Sequence, residues 1–165
     1  MKNVLFLSLV FSFLSLSCRG DEEALQKIDQ IIRLYIDSAR QDMLNTNIKG
    51  GYSNIRMNDV YGLTDSAPVN FSFKKDVDTV SYIEYLAGAR RIGVDSTGTS
   101  KTYESKIALI MSRTLPNSAT AVVNDTMTIH YSYTPELFQV SKIWYNNVLR
   151  FTKVADEPNI VKIQK

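Results

Sequence analysis

From Thr126 to Tyr133 the chain alternates without a break. Met127, Ile129, Tyr131 and Tyr133 share one parity; Thr126, Thr128, His130 and Ser132 share the other. Successive side chains of a strand point to opposite faces, so this run predicts a half-buried antiparallel strand. Tyr103, Ile107, Leu109 and Met111 set the same pattern against Thr102, Glu104 and Lys106. Val69, Phe71 and Phe73 alternate with polar residues, and Thr79 to Ala87 is rich in β-branched and aromatic residues. Gly93 and Asp95-Ser96-Thr97-Gly98 predict a turn between two of these strands.

Two segments are less uniform. Leu25, Ile28, Ile32, Tyr35, Ala39 and Met43 recur at three- and four-residue steps, which predicts an amphipathic helix from Glu22 to about Asn45. Asp21 fits as its N-cap, and Asn45, Asn47 and Gly50-Gly51 fit its end. Glu23–Lys27, Asp29–Arg33 and Arg33–Asp37 are four-spaced opposite charges on its outer side. Phe138 to Val154 begins after a helix-start signal, Thr134-Pro135-Glu136, but is crowded with Val, Ile, Phe, Trp and Tyr. Asn146-Asn147 in its middle suits a tight turn, so it is read as a hairpin with strands near 138–145 and 148–154. A short closing strand is expected from Ile160 to Ile163. The expected fold class is therefore α+β: an N-terminal amphipathic helix packed on a curved, mostly antiparallel sheet. A β-sandwich with one added helix is the alternative.

The first residues carry a different signal. Met1-Lys2-Asn3 is a short basic start, and Val4 to Leu16 is apolar but for serines. At 13 residues this stretch is shorter than the roughly 20 that a spanning helix needs. It has the form of a secretory leader, ending at Ser17-Cys18. Leu14-Ser15-Leu16-Ser17-Cys18 resembles the lipobox of bacterial lipoproteins, in a relaxed form similar to that of Bacteroidetes-type lipoproteins. Ser15 stands where the usual pattern has Leu. The resemblance covers the leader only. It implies cleavage before Cys18 and lipid on its thiol, with residues 1–17 as signal peptide, 18–24 as lipidated Cys and tether, and 25–165 as one globular domain. The implied location is the outer membrane, the chain being held to it through Cys18. Asp21-Glu22-Glu23 resembles the surface-export signal of such lipoproteins; first-turn acidic residues of a helix would look the same.

Cys18 is the sole cysteine, so no internal disulfide is possible. Without the first 17 residues, 18 basic side chains face 17 acidic ones. That balance gives no basic stripe for nucleic acid, and none is expected as a partner. His130 is the lone histidine, which leaves the common zinc sites unfilled. There is no Gly-x-Ser-x-Gly elbow and no Gly-rich phosphate loop. No cofactor, metal or catalytic residue is expected.

Two features remain. Tyr131, Tyr133, Trp144 and Tyr145 lie close in sequence and form a candidate interaction face, since Tyr and Trp join apolar area to a polar tip; core filling is the plainer use of such residues. Asp-Ser/Thr followed by an apolar residue or Thr occurs at Asp37, Asp65, Asp78, Asp95 and Asp125. The tripeptide is similar to the O-glycosylation site of Bacteroidetes-type exported proteins. Ser66, Ser96 and Thr126, expected in or beside turns, are the candidate acceptors; Ser38, expected mid-helix, is not.

Three functions follow in order. The first is a non-enzymatic, lipid-anchored envelope module that binds a protein or glycan. The second is an inhibitor or immunity-type lipoprotein that blocks a partner enzyme. The third is a small enzyme with a carboxylate and tyrosine site in a concave pocket.

Overall fold

The computed structural model describes residues 25–165. The leader, Cys18, the acidic triplet and the expected helix start at Glu22 lie outside the described residues. About 60% of the described residues are strand and none is helical, so the fold is all-β and not α+β. The added helix of the alternative sandwich is likewise absent among them.

The expected helix is replaced by three strands: β1 (Lys27–Asp29), β2 (Ile31–Ser38) and β3 (Gln41–Asp42). The reason lies in Leu34 and Ile36. Ile32, Leu34 and Ile36 are all buried, at period 2, while Arg33, Tyr35 and Asp37 face outward. A helix would have left Leu34 and Ile36 off its apolar stripe; a strand buries all three. Ala39 and Arg40 then take positive φ, as a two-residue turn between β2 and β3 requires. The four-spaced charges are reassigned too. Asp29 accepts from Lys153 and Asn159, and Arg33 lies 5.7 Å from the Tyr82 ring.

The remaining strands are β4 (Asn54–Asp59), β5 (Ser72–Lys75), β6 (Ser81–Leu86), β7 (Ile92–Thr97), β8 (Ser100–Thr114), β9 (Thr120–Tyr133), β10 (Leu137–Tyr145), β11 (Val148–Thr152) and β12 (Asn159–Gln164). They make two sheets. The seven-stranded sheet is ordered β1-β10-β9-β8-β4, with β11 also on β10 and β7 also on β8. Its spine is the long β8–β9 hairpin, in register from Lys101↔Tyr133 to Thr114↔Thr120. The five-stranded sheet is ordered β12-β2-β6-β5, with β3 on β2. β12 runs parallel to β2, from Asn159↔Ile32 to Gln164↔Asp37.

One core joins the sheets. Ile32, Leu34, Ile83 and Val161 come from the smaller sheet; Ile107, Leu109, Met127, Ile129 and Val140 come from the larger. The segment 138–154 folds as a hairpin turning at Asn146-Asn147, both at positive φ. Asp95 to Thr97 complete β7, and the turn falls one step later, with Gly98 at φ 59° as its first residue.

Candidate functional site

The alternation in β9 decides which side chains can be reached. Met127, Ile129 and Tyr131 are buried, and Thr126, Thr128 and His130 lie on the opposite face. Glu104 on β8 is the direct cross-strand partner of His130, and a bulge in β10 sets Lys142 and Trp144 on this outer face as well. Antiparallel neighbours on one face sit close enough for their side chains to pair.

They do pair. His130 Nε2 and Glu104 Oε2 are 2.9 Å apart. Tyr61, in the loop after β4, donates its hydroxyl to the other carboxylate oxygen at 2.5 Å. The imidazole lies 4.5 Å from the Trp144 ring, tilted by 60°. Glu104, His130 and Trp144, with Lys106, Thr128 and Asn147, line a hollow of about 380 Å³. Burial works against the Glu104 charge, but the hydrogen bonds from Tyr61 and His130 outweigh it and hold its carboxyl below the ordinary carboxylate range. The same bond, with some burial, pushes the Tyr61 hydroxyl up to about 12. The arrangement presents an ionised carboxylate, an imidazole, an ammonium and an indole on a rigid sheet. Among the described residues no third Asp, Glu, His or Cys joins Glu104 and His130, and no group of such residues is placed to hold a metal. Comparison with known proteins returns no match to any family model, curated protein or solved structure.

The structure separates the four aromatics expected to form one face. Trp144 is on the outer face. Tyr131 and Tyr145 are buried inside, at 0% and 3% exposure, and Tyr133 is half-buried at the end of β9 on their parity. Their inward places follow from the register that puts Trp144 outside, so the four do not make a common surface. Inside, Tyr131 bonds Ser105 at 2.8 Å, and Tyr145 donates to Asp125 at 2.6 Å.

The candidate acceptors also part company. Ser66 is exposed in the loop between β4 and β5. Ser96 is exposed but lies within β7, one residue before the end of the strand. Thr126 is not at a turn. It sits inside β9, half-buried, with Asn146 bonded to both its N–H and its carbonyl. Ser38 is not mid-helix but closes β2, ahead of the Ala39-Arg40 turn.

Glu104 and Tyr61 were not legible as site residues. Glu104 could have been placed opposite His130 by assuming that the β8 and β9 patterns pair across a short turn. Tyr61 is brought in by a loop, and nothing in its neighbours marks it.

Proposed function

We propose that this chain is a lipid-anchored envelope module, held in the outer membrane through Cys18, that binds a protein or glycan partner and is not an enzyme. The leader residues support the anchor. The observation that carries the binding reading is the Tyr61–Glu104–His130–Trp144 array. It fixes a carboxylate, an imidazole and a hydroxyl beside an indole, three of the four residues standing on strands of one sheet. Groups locked by packing and by one another lose little freedom on contact. The Glu104–His130 pair is the one observation that favours a catalytic reading. Among the described residues no further Asp, Glu, His or Cys clusters with it, so a two-carboxylate acid–base scheme lacks its second member.

Trp144 is the sole tryptophan, so its fluorescence reports on this site alone. Proteins and glycans from the cell envelope, titrated as separated fractions, should change its emission saturably in the full chain. They should fail to do so in Trp144→Phe and lose affinity in Glu104→Gln. Binding that survives in both variants places the contact elsewhere. The anchor is tested apart from this: Cys18→Ala should move the chain from the membrane to the soluble fraction. Intact mass of the native chain tests sugar on Ser66, Ser96 and Thr126, since lipid plus peptide alone removes that proposal.

A second reading, an inhibitor of a partner enzyme, rests on the β7–β8 hairpin. Every residue of β7 is exposed, as are Ser100 and Lys101 at the start of β8. An inhibitor would use this projecting tip as its plug, so substitutions at Val94 and Gly98, but not at Trp144, would weaken the complex.

A further inference from the structure

The strongest unassigned feature is an aromatic corner at the end of the two sheets where the described chain begins. Tyr103 on β8, Tyr133 on β9 and Phe138 on β10 converge there with Arg91, from the segment between β6 and β7, and with Gln26. Together they line a hollow of about 360 Å³. The rings make walls rather than a stack. Tyr103 and Tyr133 are 6.4 Å apart at 89°, and Tyr103 and Phe138 are 6.2 Å apart at 76°. Tyr131 stacks flat on Phe138 at 5.6 Å and closes the inner side.

Arg91 supplies the charge. Its guanidinium carbon is 4.9 Å from the Tyr131 ring centre and 5.0 Å from that of Phe138. One of its terminal nitrogens donates to Gln30 and to the Ala87 carbonyl, which fixes the head. Its Nε is buried with no acceptor among the described residues. A second cation, the Lys101 ammonium, lies outside this lining but 5.8 Å from the ring of Tyr133, one of its walls. Among the described residues neither Arg91 nor Lys101 forms an ion pair, although five ion pairs form elsewhere.

We propose that this corner is a binding site for a small carboxylate carried on a ring, the rings of Tyr103 and Tyr133 taking the body and Arg91 and Lys101 taking the charge. The volume is that of a small-ligand site, and the lining has the usual form: aromatic walls with a few fixed polar groups. A planar guanidinium on an aromatic bed suits a planar, singly charged oxyanion. The ring body fits because perpendicular aromatic walls offer apolar contact in two directions. An acidic sugar and an aromatic acid share this chemistry. The proposal does not depend on the outer-face site or on the anchor.

The test is a titration of the full-length, isotope-labelled chain in detergent, followed by NMR at the Arg91 Nε–H and the tyrosine ring signals. The probes are glucuronate, 4-hydroxyphenylacetate, glucose and acetate. At least one ring acid should shift both sets of signals saturably, with a dissociation constant on the order of 1 mM. Glucose and acetate should not saturate over the same range. The acid that saturates identifies the source, sugar or aromatic. Arg91→Gln and Lys101→Gln should each weaken binding severalfold. Lys101 is exposed, so its variant keeps the test open should Arg91→Gln fail to fold. The proposal is overturned by absence of saturation with either acid, by glucose binding as tightly as glucuronate, or by unchanged affinity in Lys101→Gln.

Discussion

Tyr145 donates its hydroxyl to Asp125 Oδ2 at 2.6 Å inside the core, and Asp125 is only 4% exposed. The same carboxylate accepts from Asn146 at 2.7 Å and from the Lys165 ammonium. One acid thus ties β9, the β10–β11 turn and the residue after β12. A buried carboxylate is tolerated only when its lone pairs are filled, and here three donors fill them. Asp125→Ala should cost about 3 kcal/mol, because Tyr145 and Lys165 both lose their acceptor. Tyr145→Phe removes one donor and leaves two, so about 1–2 kcal/mol is expected. Urea unfolding with an unchanged slope checks both, and equal losses would contradict the asymmetry.

Acid should loosen this same network. Burial opposes the Asp125 charge, but hydrogen bonds from Asn146, Lys165 and Tyr145 outweigh it and set its carboxyl below the ordinary range. The Glu104 carboxyl is depressed too. A depressed folded value means that the contribution is whole above the unfolded value, about 4, and fades as pH falls through the folded one. Stability should therefore be flat from neutral pH down to about 5 and fall steeply below 4. Thermal midpoints measured across that range in Asp125→Asn should show a shallower fall. A parallel fall in variant and parent would remove Asp125 from the account.

The N-terminal segment shows where sequence pattern ran out. Ile28, Ile32, Tyr35 and Ala39 satisfy a helical period, while Ile32, Leu34 and Ile36 satisfy a strand period. Both patterns were present, and only the second places every aliphatic residue of β2 apart from Ile31 inside. What decided between them is non-local: pairing of β2 with β12, more than a hundred residues away, and with β6. Leu34→Ala should therefore cost about 2–5 kcal/mol, as a fully buried leucine does. Ile28→Ala, at a position 61% exposed, should cost well under about 1 kcal/mol. Denaturant midpoints of the two variants test this directly, since a helical stripe would make Ile28 the costlier loss.

The long strands were legible because their alternation is local. From Met127 to Tyr131 every second residue is buried, as the pattern required. The outward place of His130 followed from the same count. The face as a whole did not, because Trp144 reaches it only through the β10 bulge between Val140 and Lys142. An added residue inverts parity, and no composition signal in Val140-Ser141-Lys142 announces it. Trp144 and Tyr145 are adjacent in one strand and so point to opposite faces in any register; the bulge decides that Trp144 is the outward one.

Tyr61 and Glu104 give the sharpest check on the outer-face site. Their 2.5 Å bond contributes both to the depressed Glu104 carboxyl and to the raised Tyr61 hydroxyl. Tyr61→Phe keeps the ring and deletes the donor, and its position in a loop spares the core. Glu104 should then titrate at higher pH than in the parent, because one hydrogen bond to its charged form is gone. The His130 contact should persist, since it uses the other carboxylate oxygen. Carbon-detected NMR titration of the Glu104 carboxyl in parent and variant reads the shift. A midpoint that does not move would mean that the hydroxyl and carboxylate are not bonded in solution. The Glu104 carboxylate would then be held by His130 alone, and partner affinity would not be expected to depend on the Tyr61 hydroxyl.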